Sequence, residues 1–187
     1  MSASLAINRI KRELLELNTN KINDNPIEVH THRGNLLRLR GVIHGPPDSP
    51  YAGAKFELEI NIPDNYPFMP PKVKFLTRVW HPNISSSTGV ICLDILKDQW
   101  AAAMSLRTML LSIQALLDSP EPDDPQDAVV ALQFKSHPDI FNITAKHWAS
   151  IYAHGPNRQP DCDAKIEKLK QMGFTEVIFI CSVHFYV

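Results

Sequence analysis

Residues 36–79 read LLRLRGVIHGPPDSPYAGAKFELEINIPDNYPFMPPKVKFLTRV, and the period of this stretch decides the fold class. Leu37, Leu39 and Ile43 alternate with polar neighbours in a run interrupted by Gly41; Phe56, Leu58, Ile60 and Ile62 alternate again; Val73, Phe75 and Val79 follow. Period-two apolar spacing, rich in β-branched and aromatic residues, marks strands with one buried face. GPPDSPYAG and PDNYPFMPP supply the turn residues between the runs. With a further run starting at Ile27, the segment predicts a four-stranded antiparallel meander. Pro63, Pro67, Pro70 and Pro71 cannot donate to a strand ladder, so their segment is expected as a stiff exposed connection. Phe68 rides on it, either presented outward or tucked under the sheet.

Outward from the sheet the period changes to that of helices. Ile7, Ile10, Leu14 and Leu17 recur at three and four, which predicts a first helix over about residues 4–18. Its charged face carries Arg9, Lys11 and Arg12 against Glu13 and Glu16, and reads either as solvated surface or as a docking face. After residue 100 come Leu106, Leu110, Ile113 and Leu117, then a shorter helical run over 126–135, then Phe141, Ala145, Trp148 and Tyr152. Strands first and helices afterwards make an α+β domain.

The chain has 187 residues, 44% hydrophobic and 21% charged, which suits one ordinary domain with a small appendage and fits neither a disordered nor a fibrous protein. A formal charge of -1 gives no overall attraction for nucleic acid or anionic lipid. Cys92, Cys162 and Cys181 are far apart with no CxxC pair, so they make neither a disulfide framework nor a four-cysteine zinc site. The most apolar stretch, residues 177–187, is shorter than the roughly 20 residues that span a bilayer, and the N-terminus has no apolar signal region. The expectation is a soluble intracellular chain, cytoplasmic and also nuclear, with no nucleic acid or membrane partner.

Between strands and helices, residues 80–100, WHPNISSSTGVICLDILKDQW, sustain neither period. A long irregular connection inside a compact domain is uncommon and usually functional. Chemistry at a cysteine needs a reachable sulfur and donors for any oxyanion that develops. Cys92 offers the sulfur, although between Ile91 and Leu93 it also reads as a small buried hydrophobe. Asn83 has a neutral amide that suits an oxyanion or, equally, a turn after Pro82. His81 reads as a general base for Cys92, which would make a hydrolase, or as a hydrogen-bonded structural group. Asp118, Glu121, Asp123, Asp124 and Asp127 follow with no Lys or Arg among them. They form a solvated acidic loop or a patch that attracts a cationic amine while raising its pKa, in which case one carboxylate has to orient the amine or help it lose a proton.

The same string, with HPN at His81-Pro82-Asn83 and the cysteine at Cys92, resembles the active-site segment of ubiquitin-conjugating enzymes. PPKVKF before it, AAAMSLRTMLLSIQALL after it and PEPDDPQDAVVA beyond extend the similarity over about residues 4–153. The resemblance implies that Cys92 takes ubiquitin from an activating enzyme as a thioester, which a lysine amine of an acceptor protein then attacks. It implies that Asn83 steadies the oxyanion or its loop, that Asp124 helps place the lysine, and that His81 and Pro82 are structural. Arg9, Lys11 and Arg12 stand where the family's first helix meets the activating enzyme, and Phe68, Ala101, Ala102 and Ala103 where it meets a ligase. Many relatives carry Ser-Pro-Ala after the tryptophan, so Ala101-Ala102 is a departure that bears on ligase choice. No metal or organic cofactor is implied: a thioester is already activated, and the enzyme supplies positioning and oxyanion stabilisation.

Residues 154–163 have the Pro, Gly and polar composition of a linker. KIEKLKQMGF at 165–174 resembles the first helix and turn of a ubiquitin-associated domain, a three-helix module, and predicts a helix over 165–172 ending at Gly173. The residues after Phe174, closing on VIFICSVHFYV, are too few for two further helices and apolar enough to be an association hazard if exposed. The expected layout is a conjugating domain over 4–153, a linker over 154–163 and an incomplete ubiquitin-associated domain with an atypical tail over 164–187. A non-catalytic adaptor that occupies ubiquitin or a ligase is the second reading.

Overall fold

Alternation across residues 27–75 resolves into strands β1 Ile27–His32, β2 Asn35–His44, β3 Lys55–Asn61 and β4 Lys72–Phe75, antiparallel and in sequence order across one sheet. The structure is a computed structural model and describes residues 2–19 and 27–173. Register sets Ile27 opposite Ile43, Leu39 opposite Ile60, Ile43 opposite Phe56 and Leu58 opposite Phe75, so one face is uniformly apolar and buried. The four-stranded meander and the α+β order are as expected.

Gly41 does not interrupt β2. It stays in register between Val29 and Leu58, and a Cβ there would lie 3.1 Å from Ile60 Cδ1 and 3.5 Å from Leu110 Cδ2. The glycine leaves room chiefly for the Ile60 side chain, with Leu110 of α2 at ordinary contact distance beyond.

Among the described residues five α-helices follow the predicted order: α1 Ser2–Thr19, α2 Leu106–Asp118, α3 Ala128–Ser136, α4 Pro138–Tyr152 and α5 Pro160–Gln171. Helix α2 starts where Ser105 and Thr108 satisfy each other's backbone N–H groups in a capping box, and it buries Leu106, Met109, Leu110, Ile113, Leu116 and Leu117. Helix α1 contacts β1, β2 and α2, burying Ala6, Ile10 and Leu17.

Two expectations are corrected. Glu13, assigned to the charged outer face of α1, is 3% exposed. It continues the inward spacing of Ala6, Ile10 and Leu17, while Ile7 and Leu14 are only half-buried. The last helix begins at Pro160, not Lys165. Proline at its first turn needs no N–H partner, Asp161 and Asp163 suit the positive end of the helix, and Cys162 is buried. The helix ends at Gln171, with Gly173 at φ +88° beyond it. The apolar tail, Cys181 and everything after residue 173 lie outside the described residues.

Candidate active site

Residues 80–100 form no strand or α-helix; they carry one 3-10 turn at Asp94–Leu96 and isolated antiparallel bridges pairing His81 with Ile84, Ile84 with Ile91 and Val90 with Lys74, which help hold the segment in place. Phe75 N–H donates to the Gly89 carbonyl at 2.9 Å. Gly89 has φ +74°, and a Cβ there would come within 2.0 Å of the Phe75 carbonyl oxygen, so only glycine allows this approach. Trp80 is pinned from two sides: Tyr51 Oη donates to its carbonyl at 2.6 Å and its own Nε1 donates to Gln133 at 2.7 Å.

The HPN tripeptide is buried behind this loop. His81 Nδ1 accepts from the Asn83 N–H at 3.0 Å, which fixes the proton on Nε2, and Nε2 lies 2.9 Å from the Leu116 carbonyl. Burial lowers the ring's pKa to about 4, with the Leu116 bond opposing the shift. The ring is therefore neutral, with both nitrogens engaged by backbone. Pro82 is buried beside it, and its carbonyl accepts from the N–H groups of Gln126 and Asp127, each at 2.9 Å.

Asn83 is 2% exposed and ties the acidic segment to the loop. Its Nδ2 donates to the carbonyls of Glu121 at 2.8 Å and Asp124 at 3.0 Å, and its Oδ1 accepts from Glu121 N–H at 2.8 Å. Its own carbonyl accepts from Cys92 N–H at 2.9 Å. One residue thus connects the backbone of Cys92 to that of Asp124.

Cys92 is partly exposed rather than buried among aliphatic side chains. Its Sγ lies 3.6 Å from Asp124 Oδ2 and 3.2 Å from Lys97 Nζ. The Lys97 ammonium is held above its ordinary pKa, chiefly by the sulfur and more weakly by Asp124 and Asp94. Lys97 was missed in the sequence; its signal is a cation five positions after Cys92 in the tight turn that follows.

The five acids separate by task. Asp127 caps α3 through Val130 N–H and accepts from both the N–H and the hydroxyl of Ser86. Asp123 pairs with Lys135 at 2.6 Å. Glu121 offers its backbone to Asn83, Asp118 is the last residue of α2, and Asp124 brings its carboxylate to the sulfur. A partly exposed thiol with a cation on one side and a carboxylate on the other can form and release an acyl ester while an amine is held nearby.

The expected partner residues lie elsewhere, and the structure draws only some of them together. Arg9, Arg12, Pro67 and Phe68 line one shallow groove with Leu5 and Asn8, and Phe68 is 68% exposed, so it is presented outward. Lys11 is exposed on α1 outside that lining, and Ala101, Ala102 and Ala103 are exposed in the turn before α2. Among the described residues no cluster of three His, Cys, Asp or Glu is placed to hold a metal ion, and no helix is long and apolar enough to cross a membrane.

Comparison with known proteins agrees with this geometry. The family described as ubiquitin-conjugating enzyme matches residues 9–149. The chain is 59% identical over 175 residues to the Drosophila melanogaster ubiquitin-conjugating enzyme E2-22 kDa, covering 93% of this chain and 88% of that protein. It is 58% identical over 173 residues to human ubiquitin-conjugating enzyme E2 K, covering 92% and 86%. The E2 domain of a Toxoplasma gondii ubiquitin conjugating enzyme superposes with a TM-score of 0.74 at 46% identity, covering 78% of this chain and 98% of that one. With the meander, the HPN segment and the open cysteine in place, these likenesses put the chain in the ubiquitin-conjugating enzyme family, and it acts in protein ubiquitination with ubiquitin, an activating enzyme and ligases.

Proposed function

We propose that Cys92 is the residue that carries ubiquitin and that Asp124 and Asn83 complete the transfer site. In the first step the Cys92 thiolate attacks the thioester between activating enzyme and ubiquitin, and the activating enzyme leaves as its thiolate. Lys97 favours this step by placing a cation at the attacking sulfur. In the second step a lysine amine of the acceptor attacks the Cys92 ester; the C–S bond breaks, the C–N bond forms, and the amine loses a proton. Asp124 is placed to orient that amine or receive the proton.

Asn83 acts through the loop. Both of its amide hydrogens are engaged by the Glu121 and Asp124 carbonyls, so donating to an oxyanion would cost one of those bonds. His81 has no free nitrogen with which to serve as a base, which weighs against a cysteine hydrolase. The observation that carries the reading is the open Cys92 sulfur between Lys97 and Asp124.

Within the family we assign the chain to the huntingtin-interacting protein 2 type, supported by the identity to E2 K and by KIEKLKQMGF on and after α5. The division into a conjugating domain, linker and incomplete ubiquitin-associated domain, and a cytoplasmic and nuclear setting, belong to the same proposal. Arg9, Lys11 and Arg12 are assigned to the activating-enzyme contact, and Phe68 and Ala101–Ala103 to the ligase contact. The chain is to be mixed with ATP, activating enzymes and their modifiers. A thiol-sensitive ubiquitin adduct that disappears in Cys92→Ala, and persists without residues 175–187, supports enzyme over adaptor; absence of an adduct on folded protein contradicts it.

A further inference from the structure

Glu13 is a carboxylate buried in the inward stripe of α1, where an apolar residue of similar size would serve stability at least as well. Its bonds reach two other segments and one residue of its own helix. Tyr66 Oη donates to both carboxylate oxygens, at 2.9 and 3.1 Å; Leu106 N–H at the start of α2 donates at 2.7 Å; Arg9 Nε donates from one turn back. Arg9 also donates to the Met104 carbonyl at 3.1 Å. Trp100 packs its ring 6.0 Å from that of Tyr66 and donates to the Pro67 carbonyl at 2.7 Å.

Each of these segments ends at an exposed residue of the proposed partner face. Tyr66 and Pro67 precede Phe68, Met104 and Leu106 follow Ala101–Ala103, and Arg9 stands beside Arg12 in the groove under Phe68. Arg9 itself is turned inward, where its guanidinium balances Glu13; Lys11 and Arg12 are the exposed cations on this helix, Arg12 lying 3.8 Å from Glu16 Oε1. Burial and the Glu13 charge hold the Tyr66 hydroxyl protonated and therefore a donor.

We propose that Glu13 is a positioning residue for partner docking, fixing α1, the turn carrying Phe68 and the segment carrying Ala101–Ala103 as one surface. This rests on the proposed partner face and on Cys92 as the charged residue. The network touches the 80–100 segment at Trp100, eight positions past Cys92, and the bonds named above end on none of Cys92, Asn83, Lys97 and Asp124, so its loss weakens docking without slowing the chemistry.

The test varies the concentration of the full chain in charging by ubiquitin-activating enzyme. Glu13→Gln removes the charge but keeps the shape. The expected result is a KM for the chain raised about fivefold, with kcat and the rate of Cys92 alkylation by iodoacetamide within about twofold of the unsubstituted chain. Should Glu13→Gln fail to fold, Tyr66→Phe deletes one donor, keeps the Arg9 and Leu106 bonds, and is expected to show the same split with a smaller rise. A lowered melting temperature with unchanged KM overturns the proposal, as does a fall in kcat and alkylation together. Failure of the unsubstituted chain to charge at all removes the Cys92 reading instead, a distinct outcome.

Discussion

Asn83 donates from its side-chain amide to the carbonyl of Asp124 at 3.0 Å, while the carboxylate of the same aspartate turns to within 3.6 Å of the Cys92 sulfur. The acid beside the thiol is therefore held from behind by a buried amide that also accepts from Glu121 N–H.

Asn83→Ala leaves that N–H without its acceptor and frees two carbonyls. With each buried hydrogen bond contributing about 1 kcal/mol, the expected loss of stability is about 2 to 3 kcal/mol. Discharge of the Cys92 ester to lysine is expected to slow more than its loading, because Asp124 is no longer fixed. Denaturant melts and single-turnover discharge measure both; an unchanged midpoint would contradict the loop-holding role.

Asp124→Asn keeps the shape and removes the charge. Loading of Cys92 is expected to be unchanged, and discharge to free lysine to fall on the order of tenfold at neutral pH. The deficit should narrow as pH rises and more of the attacking amine is already deprotonated. Parallel loss of loading and discharge would place Asp124 in loop structure instead.

Lys97→Gln removes the cation 3.2 Å from the sulfur. Alkylation of Cys92 at fixed pH is expected to slow about fivefold, the effect of a close charge in a solvated setting, and the difference should shrink in high salt. Equal alkylation rates at low salt would mean that the contact does not tune the sulfur.

His81 makes stability depend on pH with a definite sign. Its folded pKa of about 4 lies below the ordinary 6.5, so the unfolded chain binds a proton that the folded one excludes. The contribution is complete above pH 6.5 and is lost as pH falls towards 4, up to about 3 kcal/mol. Comparing urea midpoints of the chain and His81→Gln between pH 7 and 4.5 checks this: the substituted chain should show the shallower decline, and parallel curves would contradict it.

Sheet and helices were legible because their periods are local: Phe56, Leu58 and Ile60 report a strand without reference to anything distant. Gly41 misled, since the side chain that crowds it is Ile60 on β3, with Leu110 of α2 behind, and neither is adjacent in sequence. Glu13 misled because charge suggested the surface, whereas its spacing with Ala6, Ile10 and Leu17 already pointed inward. The early start of α5 was masked by a Pro and Asp composition that fits a linker and a helix N-terminus equally well. At the site, residue types were legible and their division of labour was not. The Asn83 bonds join residues 38 and 41 positions apart, and the sorting of five acids depends on Lys135 from α3 and on Ser86 and Cys92 from the 80–100 segment.

The central claim is acyl transfer from Cys92 to an amine, and its most direct measurement is a chase. Ubiquitin thioester is formed on the chain, the activating enzyme is stopped, and free lysine is added. Lysine-linked ubiquitin should accumulate as the thiol-sensitive adduct disappears, at a rate rising with lysine concentration. Decay that is independent of lysine and yields only free ubiquitin would contradict the account.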